Sequence, residues 1–385
     1  MKICIATGTR AEYGLLRPLI KALKNESAMQ LQILVTGAHL SPEFGLTYTE
    51  IENDGFKIDK KVEMLLSADT SGSVVKSMGL GMIGFSEALQ ELKPDLLVIL
   101  GDRYEMLSLA SASLIFKIPI VHIHGGELTE GAYDDAIRHA ITKMSHLHFA
   151  STEEYRNRII QLGENPKFVY NVGAIGLDSV KNLPLLNKDD LEKDLEFQFK
   201  KYNYQVTFHP STLDEELPEK HFQILLNSID RQEDSFFIFT KANADTGGRI
   251  INKMIDDYVS KNKHKSKAYT SLGNLRFLSF VKFCTAVVGN SSSGILETPS
   301  LKTATINIGD RQKGRLQAES IINTTVSEVE ILKAFDLVKS LDFRNKINIS
   351  VSPYGSGQAT EHIMQVLRSV DLTDFKTKQF YDIKH

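Results

Sequence analysis

Leu96-Leu97-Val98-Ile99-Leu100-Gly101-Asp102-Arg103-Tyr104-Glu105 is an apolar run that ends abruptly in charge. Five consecutive Leu, Val and Ile residues read as a buried strand. Gly101 then lets the chain turn, and Asp102, Arg103 and Glu105 fall just past the strand's carboxyl end. In an open α/β sheet the ligand crevice lies at that end of the strands. The pattern recurs downstream, where the apolar stretch 118–123 is followed by His124-Gly125-Gly126-Glu127. Asp134-Asp135-Ala136-Ile137-Arg138-His139 comes next. A solvated helix face also carries charges, but it does not place them repeatedly at strand ends.

Outward from this stretch, short apolar runs alternate with helix-length amphipathic segments. Strands are expected at 3–7, 31–36, 96–100, 118–123, 147–150 and 168–172, with helices at 15–23, 74–92, 106–116, 136–144 and 153–162. That alternation is the signature of βαβ units and parallel sheets. Pro184 to Asp189 interrupts it, and a linker is expected near 175–190. A second cycle follows, with strands at 205–208, 236–239, 267–270, 286–289 and 303–308 and helices at 217–229, 250–258 and 326–341. A last helix spans 360–370. The expected fold is α/β: two doubly wound Rossmann-like domains facing across a cleft. The first is 1–178, completed by the C-terminal segment 360–385, and the second is 179–359.

The 385 residues suffice for two domains, and 42% hydrophobic and 24% charged content is that of a soluble globular chain. A net charge of −3 with mixed signs gives no basic field for nucleic acid. No run reaches membrane-span length and no signal peptide is visible, so the chain reads as cytoplasmic. Cys4 and Cys284 lie in separate apolar runs and read as buried structural thiols. No metal site is expected, because the histidines and acids lack H-x-x-x-H or H-E-x-x-H spacing.

The first strand empties into Thr7-Gly8-Thr9-Arg10-Ala11-Glu12-Tyr13. A glycine-bearing strand-to-helix turn offers backbone N–H groups to an anion, and Arg10 adds a planar donor. In the second half, Val288-Gly289-Asn290-Ser291-Ser292-Ser293-Gly294 leaves a strand and opens a helix, a candidate diphosphate cradle. An ordinary N-cap needs one serine, not three. Glu297, one turn on, can accept both hydroxyls of a ribose. His209, Asn243 and Arg311 also stand at strand ends. In the first half, Asp102 is the candidate base, since an acid held by an apolar strand is suited to proton abstraction. Glu127 follows a Gly-Gly turn that permits close approach, and Asp134 opens a helix. Converging carboxylates suit removal and return of a proton at carbon.

In this order and spacing, these motifs resemble the UDP-N-acetylglucosamine 2-epimerase family. Its hydrolysing, sialic-acid branch looks similar over nearly the whole chain. Thr36-Gly37-Ala38-His39-Leu40-Ser41 and Gly309-Asp310-Arg311-Gln312 join the segments that carry the likeness. The resemblance implies the two-domain arrangement of many glycosyltransferases. It implies that Arg10, His209, Asn243, Ser291, Ser292, Glu297 and Arg311 hold UDP, while Asp102, Arg103, Asp134 and Arg138 surround the sugar. The implied reaction is anti elimination of UDP to a 2-acetamidoglucal, then hydration to free N-acetylmannosamine, without metal or nicotinamide cofactor. A UDP-sugar is the expected partner, together with a second copy in a homodimer or homotetramer; helix 74–92 is a candidate interface.

One position departs from the pattern. Many members carry glutamate where this chain has His124, and that glutamate is a presumed proton-transfer acid. Its work falls to His124, to Glu127 or Asp102, or is divided differently. A non-hydrolysing epimerase of the same family is disfavoured, because the Gly125-Gly126-Glu127 and Asp134–His139 segments resemble the hydrolysing branch. Three other readings stand beside the first. The substrate is UDP-N,N′-diacetylbacillosamine, hydrolysed for legionaminic acid; the chain is a UDP-sugar-binding regulator without turnover; or it is a retaining glycosyltransferase. The retained acids and arginines weigh against the last two.

Overall fold

The computed structural model describes residues 1–68, 70–129, 133–210, 217–242, 247–375 and 377–383. The chain divides into two compact units. The first comprises Met1–Glu127, Asp134–Ser179 and Tyr354–His385, and the second Leu128–Tyr133 and Val180–Pro353.

The first unit is built on a parallel sheet of β1 (Lys2–Thr7), β2 (Gln30–Thr36), β3 (Lys60–Val62), β4 (Leu96–Leu100), β5 (Ile120–Ile123), β6 (Leu147–Ala150) and β7 (Val169–Asn171). Their spatial order is β3-β2-β1-β4-β5-β6-β7. The order reverses between β1 and β4, which makes their carboxyl ends the topological switch point. β4 shows why its run is unbroken. Leu96, Val98 and Leu100 join Ile3 and Ile5 in the core on one face. Leu97 and Ile99 join Cys4, Ala6 and Phe85 on the other. A strand covered on both faces favours an apolar side chain at each position. The last helix, Ala359–Ser369, returns to this unit and buries Ile363, Met364 and Leu367 in the first of these cores. Asp178 holds its start, accepting from Ala359 N at 2.9 Å and Thr360 N at 2.6 Å.

The second unit repeats the topology with β8 (Tyr202–Thr207), β9 (Ser235–Thr240), β10 (Ser266–Tyr269), β11 (Ala286–Gly289), β12 (Ala304–Ile308) and β13 (Ile321–Thr324). The order is β10-β9-β8-β11-β12-β13, all parallel, so its switch point lies between β8 and β11. The fold is therefore α/β with two doubly wound sheets.

Several local expectations need correction. Sheet-edge strands β3 (Lys-Lys-Val) and β13 have too little apolar content to be seen in the sequence. The expected helix 326–341 is Glu328–Lys339, and the helical run continues past the expected end as a second helix, Leu341–Ile349. Ser340 breaks it by adopting an extended backbone and capping Phe343 N through its side chain. The stretch expected as linker forms short helices at Gly176–Asn182 and Lys188–Asp194. Cys4 lies within β1 and Cys284 just before β11, and burial pushes each thiol up to about 12.

Candidate active site

In the first unit the sequence candidates gather at the carboxyl ends of β1, β4 and β5. At β1, Thr9 caps the helix Arg10–Lys24 while Glu12 reaches back to Gly8 N (2.6 Å) and Thr9 N (3.2 Å), a reciprocal capping box. Arg10 leaves the turn and is held by Glu50 at 2.6 Å. Across the switch point, fully buried Glu105 grips Arg103 through Nε and Nη2 at 3.2–3.3 Å. Glu12 lies close enough to feel both. Burial raises its carboxyl to about 7, with Arg103 opposing and Glu105 adding to the rise. Gly37, after β2, is packed against this pair at φ +58; a Cβ there would lie 2.9 Å from Gly8 O and 3.0 Å from Glu105 Oε1. Only glycine fits that combination of backbone and space.

His122 fixes the end of β4 from the neighbouring strand. Its Nε2 donates to Gly101 O at 2.8 Å, so its Nδ1 accepts from Thr142 Oγ1 at 3.1 Å. Burial drives this imidazole down to about 3, so it is neutral and structural. His39 behaves likewise: it lies between Thr7 Oγ1 (3.0 Å) and Thr47 Oγ1 (2.8 Å), and burial lowers it to about 4.

Beyond β5, His124 takes a left-handed backbone at φ +65. Its Nδ1 lies 3.1 Å from Glu127 Oε1, and Ser151 Oγ donates to the same carboxylate oxygen at 2.8 Å. Ile175 N donates to His124 Nε2 at 3.2 Å. Gly126 makes the intervening turn at φ +76, where a Cβ would come within 2.4 Å of Tyr155 O. Arg138, on the helix Asp134–Met144, is 1% exposed yet reaches three groups. It donates to Glu127 O at 2.8 Å, to Asp102 Oδ2, and to Asp135 Oδ1 at 3.5 Å. Asp102 itself stays open, with 24% of its side chain accessible. The result is a continuous network from His124 through Glu127 and Arg138 to a carboxylate that can meet a ligand. Asp134 stands at the start of the same helix, but it is Asp135 that touches Arg138.

In the second unit Asn290 clamps the switch point. Its Oδ1 accepts from His209 N at 2.7 Å and its Nδ2 donates to His209 O at 2.8 Å. Arg311 and Gln312 both donate to Asn290 O, at 3.2 and 2.9 Å. His209, Asn290, Ser291, Ser292 and Arg311 thus come together around one backbone turn, and Glu297 is buried just beyond it. The serine run opens a helix of one turn only, Ser293–Leu296, and Ser292 makes no side-chain cap. The helix dipole behind a diphosphate would therefore be small; the offering is backbone N–H groups and hydroxyls. Asn243 lies outside the described residues. Among the described residues, no group of three or more His, Cys, Asp and Glu is arranged to hold a metal ion.

Sequence reasoning named the charged ends of this network but not its supports. Glu105, Ser151, Asn290 and Gln312 were missed as supports: Ser151, Asn290 and Gln312 act through contacts between segments distant in sequence, and Glu105 grips its near neighbour Arg103 only because the turn after β4 folds the two side chains together. Asn290 alone had a signal, sitting between a strand-ending glycine and the serine run.

A family model described as UDP-N-acetylglucosamine 2-epimerase matches residues 21–368. The Campylobacter jejuni protein called GDP/UDP-N,N′-diacetylbacillosamine 2-epimerase (hydrolyzing) is 48% identical over 383 residues, covering 99% of each chain. Polysialic acid biosynthesis protein P7 of Escherichia coli is 38% identical over 384 residues, covering 99% of this chain and 97% of its own. The crystal structure of a Neisseria meningitidis UDP-GlcNAc 2-epimerase bound to UDP-GlcNAc superposes with a TM-score of 0.79, over 96% of this chain and all of that one. At 19% identity that likeness speaks to the fold. The chain belongs to the UDP-N-acetylglucosamine 2-epimerase family.

Proposed function

We propose that this protein is a hydrolysing 2-epimerase of a nucleotide-linked acetamido sugar, and that UDP-N,N′-diacetylbacillosamine is its substrate. The observation that carries the substrate is the 48% identity, end to end, with a relative named for that hydrolysing reaction. Sequence motifs alone put UDP-N-acetylglucosamine first; the similarity reverses that order. UDP-N-acetylglucosamine remains the second reading, favoured by the 38% identity to a polysialic acid biosynthesis protein.

The chemistry is divided between the units. In the first, Asp102 removes the weakly acidic C2 proton: it follows the carboxyl end of β4 and keeps 24% of its side chain accessible, whereas Glu127 is buried. Arg138 and Arg103 orient it and the sugar, each pinned by a carboxylate of its own. Asp134 and Glu127 serve the return of the proton and the activation of water. In the second unit His209, Ser291, Ser292, Glu297 and Arg311 hold the nucleotide. N–H groups and arginine at the β11 turn stabilise charge accumulating on the leaving diphosphate. Loss of the C2 proton and of UDP from C1 gives a glycal. Water then adds its hydroxyl at C1 and a proton at C2 from the opposite face, releasing the free C2-epimeric sugar.

The decisive assay uses D2O, NMR and three substrates: UDP- and GDP-linked N,N′-diacetylbacillosamine and UDP-N-acetylglucosamine. Free epimer deuterated at C2, from the diacetylated sugar in preference, is the expected result. A product still linked to nucleotide would refute hydrolysis, and preference for UDP-N-acetylglucosamine would refute the substrate. We also propose self-association through the helices Ser71–Leu92 and Tyr104–Ile115, which leave Ile83 64% and Ile115 77% exposed. Charging both residues with glutamate should yield a monomer by light scattering; a monomeric wild type would end the idea.

A further inference from the structure

His124 stands among the acids of the first unit with an ionisable ring, and the simplest assumption makes it a proton shuttle. Its surroundings argue otherwise. A shuttle needs one ring nitrogen held by an orienting partner and the other turned toward the reacting atom. Here both are committed. Ile175 N–H is a donor only, so Nε2 must present its lone pair there, at 3.2 Å. The ring proton therefore sits on Nδ1, facing Glu127 Oε1 at 3.1 Å. The ring is 7% accessible, and Ser151 shares its target carboxylate.

The groups around the ring are the Glu127 carboxylate, the neutral imidazole of His122, and Arg138 on the backbone of Glu127. From Glu127 the contacts run on to the acid that faces the ligand: its carbonyl receives Arg138 Nη1, and Arg138 Nη2 holds Asp102. His124 thus ties the loop after β7, where Ile175 lies, to the loop after β5. Its left-handed backbone at φ +65 suits histidine better than most residues and suits asparagine better still.

We infer that His124 is a positioning residue that sets the Glu127 loop, and through Arg138 the Asp102 carboxylate, without itself transferring a proton in the reaction. The inference rests on the proposed elimination and hydration. It assigns the proton transfers to carboxylates, with a histidine supplying the geometry.

The test pairs two substitutions with a direct look at the ring. His124→Ala removes both hydrogen bonds and is expected to lower kcat about 100-fold, the scale of an ångström of misplacement in a site. His124→Asn keeps the left-handed backbone and an N–H close to the Nδ1 position. It is expected to restore kcat to within roughly tenfold of wild type, with KM little changed and both limbs of the kcat–pH profile retained. Asparagine has no group that gains or loses a proton near neutral pH. A loss in His124→Asn as deep as in His124→Ala, or the disappearance of one limb, would overturn the inference. Full activity of His124→Ala would also overturn it. Independently of turnover, two-bond 1H–15N correlation spectra of the wild type should place the ring proton on Nδ1; a proton on Nε2 refutes the arrangement. If the wild type turns over none of the sugar nucleotides, the proposed function falls, and the spectra still decide the role of His124.

Discussion

Gly289→Ala is the sharpest perturbation available in the second unit. Gly289 closes β11 at φ +129, a conformation that L residues rarely adopt, and a Cβ there would lie 1.9 Å from Thr207 O. The obstacle is backbone of the paired strand β8, so no side-chain rotation relieves it; β8 and β11 must part by more than an ångström. The backbone conformation costs about 1–3 kcal/mol. Parting the strands also strains Asn290 N to Thr207 O (3.1 Å) and the two Asn290–His209 bonds, each worth about 0.5–1.5 kcal/mol. Together these predict a loss of about 2.5–7.5 kcal/mol, a large share of the ~5–15 kcal/mol typical of a folded domain. Gly45→Ala is the control, because Gly45 has φ +85 with nothing within 4 Å of the added carbon. It should cost only about 1–2 kcal/mol. Urea unfolding of both variants gives the comparison, and calorimetric titration with UDP should show Gly289→Ala weakened at least tenfold. If Gly289→Ala falls within about 0.5 kcal/mol of Gly45→Ala, strand contact at the switch point does not govern this unit's stability.

Asp102→Asn should lower kcat by about 100-fold or more and abolish C2 deuteration, while UDP affinity stays within a few-fold; full turnover would remove Asp102 from the mechanism. Two buried carboxylates predict opposite pH trends. Glu12 is raised to about 7 in the fold, first by burial, so the folded chain holds the extra proton and its contribution is complete below about 4.5 and lost as pH rises through 7. Glu12→Gln should therefore gain on wild type across that window, by up to about 3 kcal/mol, in thermal or urea melts. Glu164 also suffers burial, but His148, Lys378 and Lys143 outweigh it and hold the carboxyl at about 2. Its contribution is present above about 4.5 and lost as pH falls toward 2, so Glu164→Gln should lose most above pH 5 and close the gap in acid; a pH-independent gap would contradict the charge network.

The chain's local pattern determined much of this protein. A strand covered on both faces is mostly apolar, so β1, β4 and β11 announced themselves, and the crevice rule then pointed to Asp102, Arg103 and the serine run. Edge strands bury less, which is why β3 and β13 did not. Tertiary structure alone decided how the site residues support one another. That Arg138 spans Glu127 O and Asp102, that His124 spends both nitrogens on Ile175 and Glu127, and that Asn290 holds His209 across 81 residues of sequence are contacts at long range. Spacing along the chain encodes the period of a strand or helix and the chemistry at its end. It carries no record of which nitrogen meets which oxygen once the sheets have formed, and those pairings separate a residue that carries a proton from one that holds another in place.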